Sequence, residues 1–148
     1  MSFGNGEAMT RLAIARMRAV ALRHGTVDPV EIAKNEEVRI VHRRMSQKWK
    51  EQALTVPILG TPTIVLNYGI PPVDELLFTC HELSHALFDA PEMPAYLDHR
   101  SRQRDVRHKQ RECRAWAAGC WLAVMHTIAS NGGDWRWADQ IYQRAIAA

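Results

Sequence analysis

From Glu7 to about Arg23, the residues Met9, Leu12, Ala13, Met17 and Val20 recur at helical spacing, while Arg11, Arg18 and Arg23 fall off that stripe. This pattern predicts an amphipathic helix lying on a core. Gly25 ends it, and "DPVE" then supplies an N-cap Asp28, a first-turn Pro29 and Glu31 at N3, predicting a short second helix through about Asn35. In residues 37–45, Val38, Ile40 and His42 alternate with Arg39, Val41 and Arg43, the period of a half-buried strand. "LTVPILG" and "TPTIVLN" are rich in β-branched residues and broken by Pro57, Gly60 and Pro62, which predicts two more short strands. Pro62 has no N–H to give a ladder, so it implies an edge position or a strand start.

"YGIPP" reads as a turn, and Pro72 begins a helix expected to run to about Asp89. The loop "APEMP" follows. A long helix is expected from about Lys109 to Ala129, closed by "SNGG", and "DWRWADQIYQRAIAA" predicts a last amphipathic helix from Asp134. The expected fold is α+β, with a small three-stranded sheet packed on helices, and 148 residues suit one domain over 1–148.

Charge and cysteine content narrow the setting. Arg11, Arg16 and Arg18 interrupt the apolar residues near the N-terminus, so no h-region for secretion is expected, and no apolar run is long enough to span a membrane. Cys80, Cys113 and Cys120 form no CxxC pattern, which suits reduced thiols and a cytoplasmic location. The net charge of +3 is unevenly spread, because residues 99–114, HRSRQRDVRHKQRECR, carry seven Arg or Lys against Asp105 and Glu112. That segment reads first as a solvated loop and helix start, with an acidic partner as the alternative. It has no interleaved aromatics for stacking on bases, so direct nucleic-acid binding is the weakest reading; it predicts a steep salt dependence of DNA affinity.

Against this background "HELSH", residues 81–85, stands out within an apolar helix. An ionised Glu there costs several kcal/mol unless something compensates it. On a helix His81 and His85 are i and i+4, so both imidazoles leave one face a turn apart and reach one ion, with Glu82 one step round able to touch a water on it. Neutral imidazoles suit Zn²⁺, and a catalytic zinc keeps three protein ligands and one open position. The alternative is two core histidines and a buried Glu, which requires three separate sets of hydrogen-bond partners.

The third ligand must come from elsewhere. Asp89 is i+4 from His85, but on a continuous helix it lies about 12 Å along the axis from His81, too far for one ion to take all three. Pro91 stands where the third His of HExxHxxGxxH would be, which excludes that pattern. Glu112 is better placed, in "ECRAWAAG", where Ala115 and Gly119 would let two helices approach closely.

Here the chain resembles the ImmA/IrrE metallopeptidases. "TPTIVLNYGIPPVDELLFTCHELSHALF" is similar to their strand, turn and active-site helix, and "RECRAWAAGCWLAV" to their downstream glutamate helix with its ExxA pattern. The resemblance spans roughly residues 28–125, and "DPVEIAKNEEVRIV" fits its lead-in. It implies a zincin-type active-site helix and a second, glutamate-bearing helix, with His81, His85 and Glu112 as zinc ligands and Glu82 as catalytic base. Ser84 replaces a common Gly, and Asp89 stands where a further His is frequent. It also implies that "TPTIVLN" pairs with extended substrate, its plainer role being a sheet edge.

Family members act by cleaving or otherwise disabling a helix-turn-helix repressor. The expectation is a zinc-dependent endopeptidase of narrow specificity whose substrate is a separate DNA-binding regulator. The alternative is a zinc-stabilised, non-catalytic antirepressor that sequesters such a regulator, although sequestration needs no general base. Tyr96, His99, Arg107 and His108 are expected in an exposed connecting loop, and none is assigned as oxyanion donor. Cys80 and Cys113 read as packing residues, as do Trp116, Trp121, Trp135 and Trp137. His24, His42 and His126 show no partner pattern.

Overall fold

In a computed structural model, which describes residues 3–45, 52–89 and 106–132, the first helix covers Phe3–His24 (α1) and the second Pro29–Asn35 (α2). Asp28 caps α2 as expected, its carboxylate accepting from the Val30 N–H at 3.0 Å. On α1 the buried stripe is Ala13, Met17, Val20 and Ala21, and Leu12 is half exposed rather than part of it. Ala13, Met17 and Val20 of the expected stripe are in the core, which Ala21 joins and Leu12 leaves.

Three strands follow: β1 (Arg39–Arg43), β2 (Ala53–Ile58) and β3 (Thr61–Asn67). They form a mixed sheet in the order β1-β3-β2, with β1 parallel and β2 antiparallel to β3. Of the two placements Pro62 allows, an edge position or a strand start, the second holds: β3 is central, with a strand on each side, and is not a sheet edge. The reason is the hairpin: Leu59 and Gly60, both at positive φ, turn β2 back onto one side of β3, and β1 takes the other. Pro62 is tolerated because it sits at the strand start, opposite Pro57 of the edge strand β2.

Register decides what the sheet offers the helix above it. Ile64 and Leu66 of β3 are fully buried, and Thr55 and Ala53 of β2 stand opposite them. Cross-strand partners share a face, so Thr55 points the same way as the core residues.

The helix α3 covers Pro72–Ser84 and passes directly into a π-helical turn, His85–Asp89. The last described helix, α4, is Val106–Ser130. Leu83 of α3 and Leu122 of α4 join Met17, Ile32, Ile64 and Leu66 in one core. Arg107 and His108, expected in a loop, lie in α4, and His108 is buried rather than exposed. Among the described residues no helix is long and apolar enough to cross a membrane. The loop expected at 90–94, Tyr96, residues 99–105 of the basic segment, Trp135, Trp137 and the helix expected from Asp134 lie outside the described residues.

Candidate metal centre

His81 and His85 are 4% and 2% exposed, because the face of α3 that carries them is covered by α4. On α4, Glu112, Trp116 and Gly119 fall at i, i+4 and i+7, so one face presents all three. Gly119 meets α3 at the backbone: a Cβ built there would stand 2.8 Å from the N and Cα of His81 and 2.9 Å from the carbonyl carbon of Cys80. No side chain fits in that gap. Ala115 and Ala118, both fully buried, keep the neighbouring turns equally slim.

This approach carries Glu112 to both imidazoles. Its Oε2 lies 3.1 Å from His81 Nε2, and its Oε1 lies 2.7 Å from His85 Nε2. One ligand atom from each of the three residues falls within 4.8 Å of the others, so the group can hold a metal ion. The structure thus brings together the three residues singled out in the sequence.

The electrostatics make His85 and Glu112 a charged pair, so a metal taken up here would displace the proton from His85 Nε2. Burial opposes a charge on His85, yet hydrogen bonds to Asp89 and Glu112 and the nearby Glu82 and Glu112 carboxylates outweigh it, carrying its pKa up to about 10. Burial likewise opposes a charge on Glu112, but its hydrogen bonds to His81 and His85 hold the carboxyl far below its ordinary value. A carboxylate shared by two imidazoles that each offer Nε2 is a donor set of the kind divalent metals take.

No protein-family model matches the chain, and no curated protein matches it.

Glu82 stands beside this cluster without joining it. It is buried, and the Thr55 hydroxyl lies 2.5 Å from its Oε2 and 3.0 Å from its backbone carbonyl oxygen. An edge strand thereby fixes a carboxylate on the helix above it. Sequence reasoning missed Thr55; the available signal was a polar residue at a core-facing position of a strand.

Trp116 is a packing residue, as expected, and one of the rings it packs on is a ligand candidate. Its ring centroid lies 4.0 Å from that of His81, so it backs the imidazole directly as well as packing against Phe78. His81 Nδ1 is buried and has no hydrogen-bond partner among the described residues. His85 differs, since its Nδ1 lies 2.9 Å from Asp89 Oδ2.

The cysteines divide. Cys80 is fully buried and its thiol is pushed far up by burial, so packing is its role. Cys113 is exposed, contrary to expectation, because it follows Glu112 on the helix and is turned away from the α3 contact. The histidines without an expected partner have one: His24 lies 2.8 Å from Glu36, His42 lies 2.7 Å from Glu75, and His126 lies 3.4 Å from Ser130.

Proposed function

We propose that this chain is a zinc-dependent endopeptidase of narrow specificity, of the ImmA/IrrE metallopeptidase type, acting in the cytoplasm on a separate DNA-binding regulator. The observation that carries the proposal is a division of labour among buried groups. His81, His85 and Glu112 turn their donor atoms on one point, while Glu82, adjacent in sequence, is held apart by Thr55. A purely structural metal site needs no further buried carboxylate beside its three ligands. The sheet under α3 and the glutamate helix across it also suit a zincin-type arrangement.

His81 Nε2, His85 Nε2 and the Glu112 carboxylate would hold the ion. Zinc held there supplies Lewis acidity, bringing the pKa of water toward neutrality and polarising a peptide carbonyl. Glu82 supplies the proton handling. With Oε2 engaged by Thr55, Oε1 takes the proton from the attacking water and returns it to the leaving amine.

Glu82→Gln tests this, because it keeps shape and hydrogen bonding but removes the base. General-base contributions are typically about 100- to 10,000-fold in rate. The variant should retain zinc and the regulator yet leave that regulator at full length on a gel. Release of the repressed genes by Glu82→Gln at the parent level would sink the peptidase reading and leave sequestration in its place.

A further inference from the structure

Helical spacing puts Asp89 too far from His81 to share an ion with it, and its position in the fold gives it a different task. The π-helical turn begins at His85 and ends at Asp89. Within that turn the Asp89 carboxylate, 7% exposed, lies with Oδ2 2.9 Å from His85 Nδ1, on the opposite side of the ring from Glu112. The second oxygen, Oδ1, lies 3.9 Å from the guanidinium of Arg114, two residues beyond Glu112 on α4. Arg114 in turn touches Met9 of α1 through a 3.8 Å contact to sulfur.

We propose that Asp89 is the positioning residue of the metal centre, accepting the Nδ1–H of His85 so that the Nε2 lone pair faces the point shared with His81 and Glu112. The inference rests on the metal-centre reading above. An imidazole has two nitrogens, and whichever carries the proton cannot bind a metal. A buried carboxylate at Nδ1 decides that choice for His85 and also stops the ring from turning.

Arg114 ties this carboxylate to α4 through the 3.9 Å ion pair. It sits on the helix that supplies Glu112, so the ligand and the outer brace of the other ligand move together. His81 has no such brace among the described residues: its Nδ1 is without a partner, and its ring is held by the face of Trp116. The orientation of His85 therefore rests on Asp89, and that of His81 on Trp116.

The test is zinc affinity, measured by competition with a chromophoric chelator for the parent, Asp89→Asn and Asp89→Ala, together with thermal melting of each metal-free protein. Loss of an outer partner of a metal-bound histidine typically weakens binding by about 10- to 100-fold. Asp89→Ala should approach the upper end. Asp89→Asn, which keeps an acceptor oxygen but not the charge, should fall between it and the parent.

Imidazole nitrogen NMR of the zinc-loaded proteins supplies a readout that packing alone would not move. The parent should show a slowly exchanging proton on His85 Nδ1, absent in Asp89→Ala. Folded variants that bind zinc within about twofold of the parent would overturn the proposal, even if their melting temperatures fall. Should Asp89→Ala fail to fold, the Asn variant decides by the same criterion. A parent that takes up no zinc overturns the metal centre itself, and with it this inference; zinc bound equally by parent and variants overturns this inference alone.

Discussion

Gly119 lies against the backbone of His81, so close that an added Cβ would stand 2.8 Å from its N and Cα. Two effects of Gly119→Ala therefore oppose each other. Alanine in a helix interior gains about 1 kcal/mol over glycine, whereas overpacking costs about 1–3 kcal/mol. The atoms met here are backbone and cannot rotate aside, so the clash should win. The variant should melt below the parent and bind zinc more weakly, because Glu112 moves with α4. A more stable Gly119→Ala would show that the helices separate at no cost.

Metal content follows from the donor set. The purified chain should hold about one zinc, and saturation at 100 times the dissociation constant should stabilise it by about 2.7 kcal/mol. His85→Ala and Glu112→Ala should each lose most of the metal by elemental analysis. Full retention in Glu112→Ala would remove that residue from the ligand set.

Thr55→Val removes the hydroxyl that engages Glu82 and keeps the strand's β-branched shape. A hydrogen bond to a charged group is worth about 1.5–3 kcal/mol, so cleavage of the regulator should slow by about 10-fold or more. Zinc content should not change. Parent-level cleavage by a folded Thr55→Val would mean that Glu82 needs no support from β2.

Acid stability should report on Glu36, which caps the end of α2 beside His24 and Arg23 at the end of α1. The hydrogen bond to His24 lowers its carboxyl below the ordinary value of 4.5; burial opposes this, and Arg23 adds to the lowering. A depressed carboxylate contributes stability that is present above its unfolded pKa and lost as pH falls through the folded one. In urea titrations the parent should exceed Glu36→Gln by up to about 1 kcal/mol near neutral pH, and the gap should close as pH drops below 4.5. A gap independent of pH would assign the effect to packing.

Much of this site was legible in one dimension. HELSH places two imidazoles a turn apart on any helix, and Glu112, Trp116 and Gly119 share a face on any helix, because helical geometry is local. The same locality made the Asp28 cap, the Pro72 start and the three strands readable.

Contacts between elements were not readable in this way. That β3 is central depends on which side β1 takes, and a strand's own residues carry no record of its neighbours. Thr55 reaches Glu82 only because the β2–β3 register sets it opposite Ile64. Leu12, Cys113 and His108 differ from expectation for a related reason: which margin of a helix stripe is covered, and where a helix starts, are settled by the surface it packs on. Asp89 is the clearest case. Its spacing from His85 was visible in the sequence, but whether a carboxylate binds a metal or braces the residue that does so depends on which nitrogen it faces, and only the packed π-helical turn decides that.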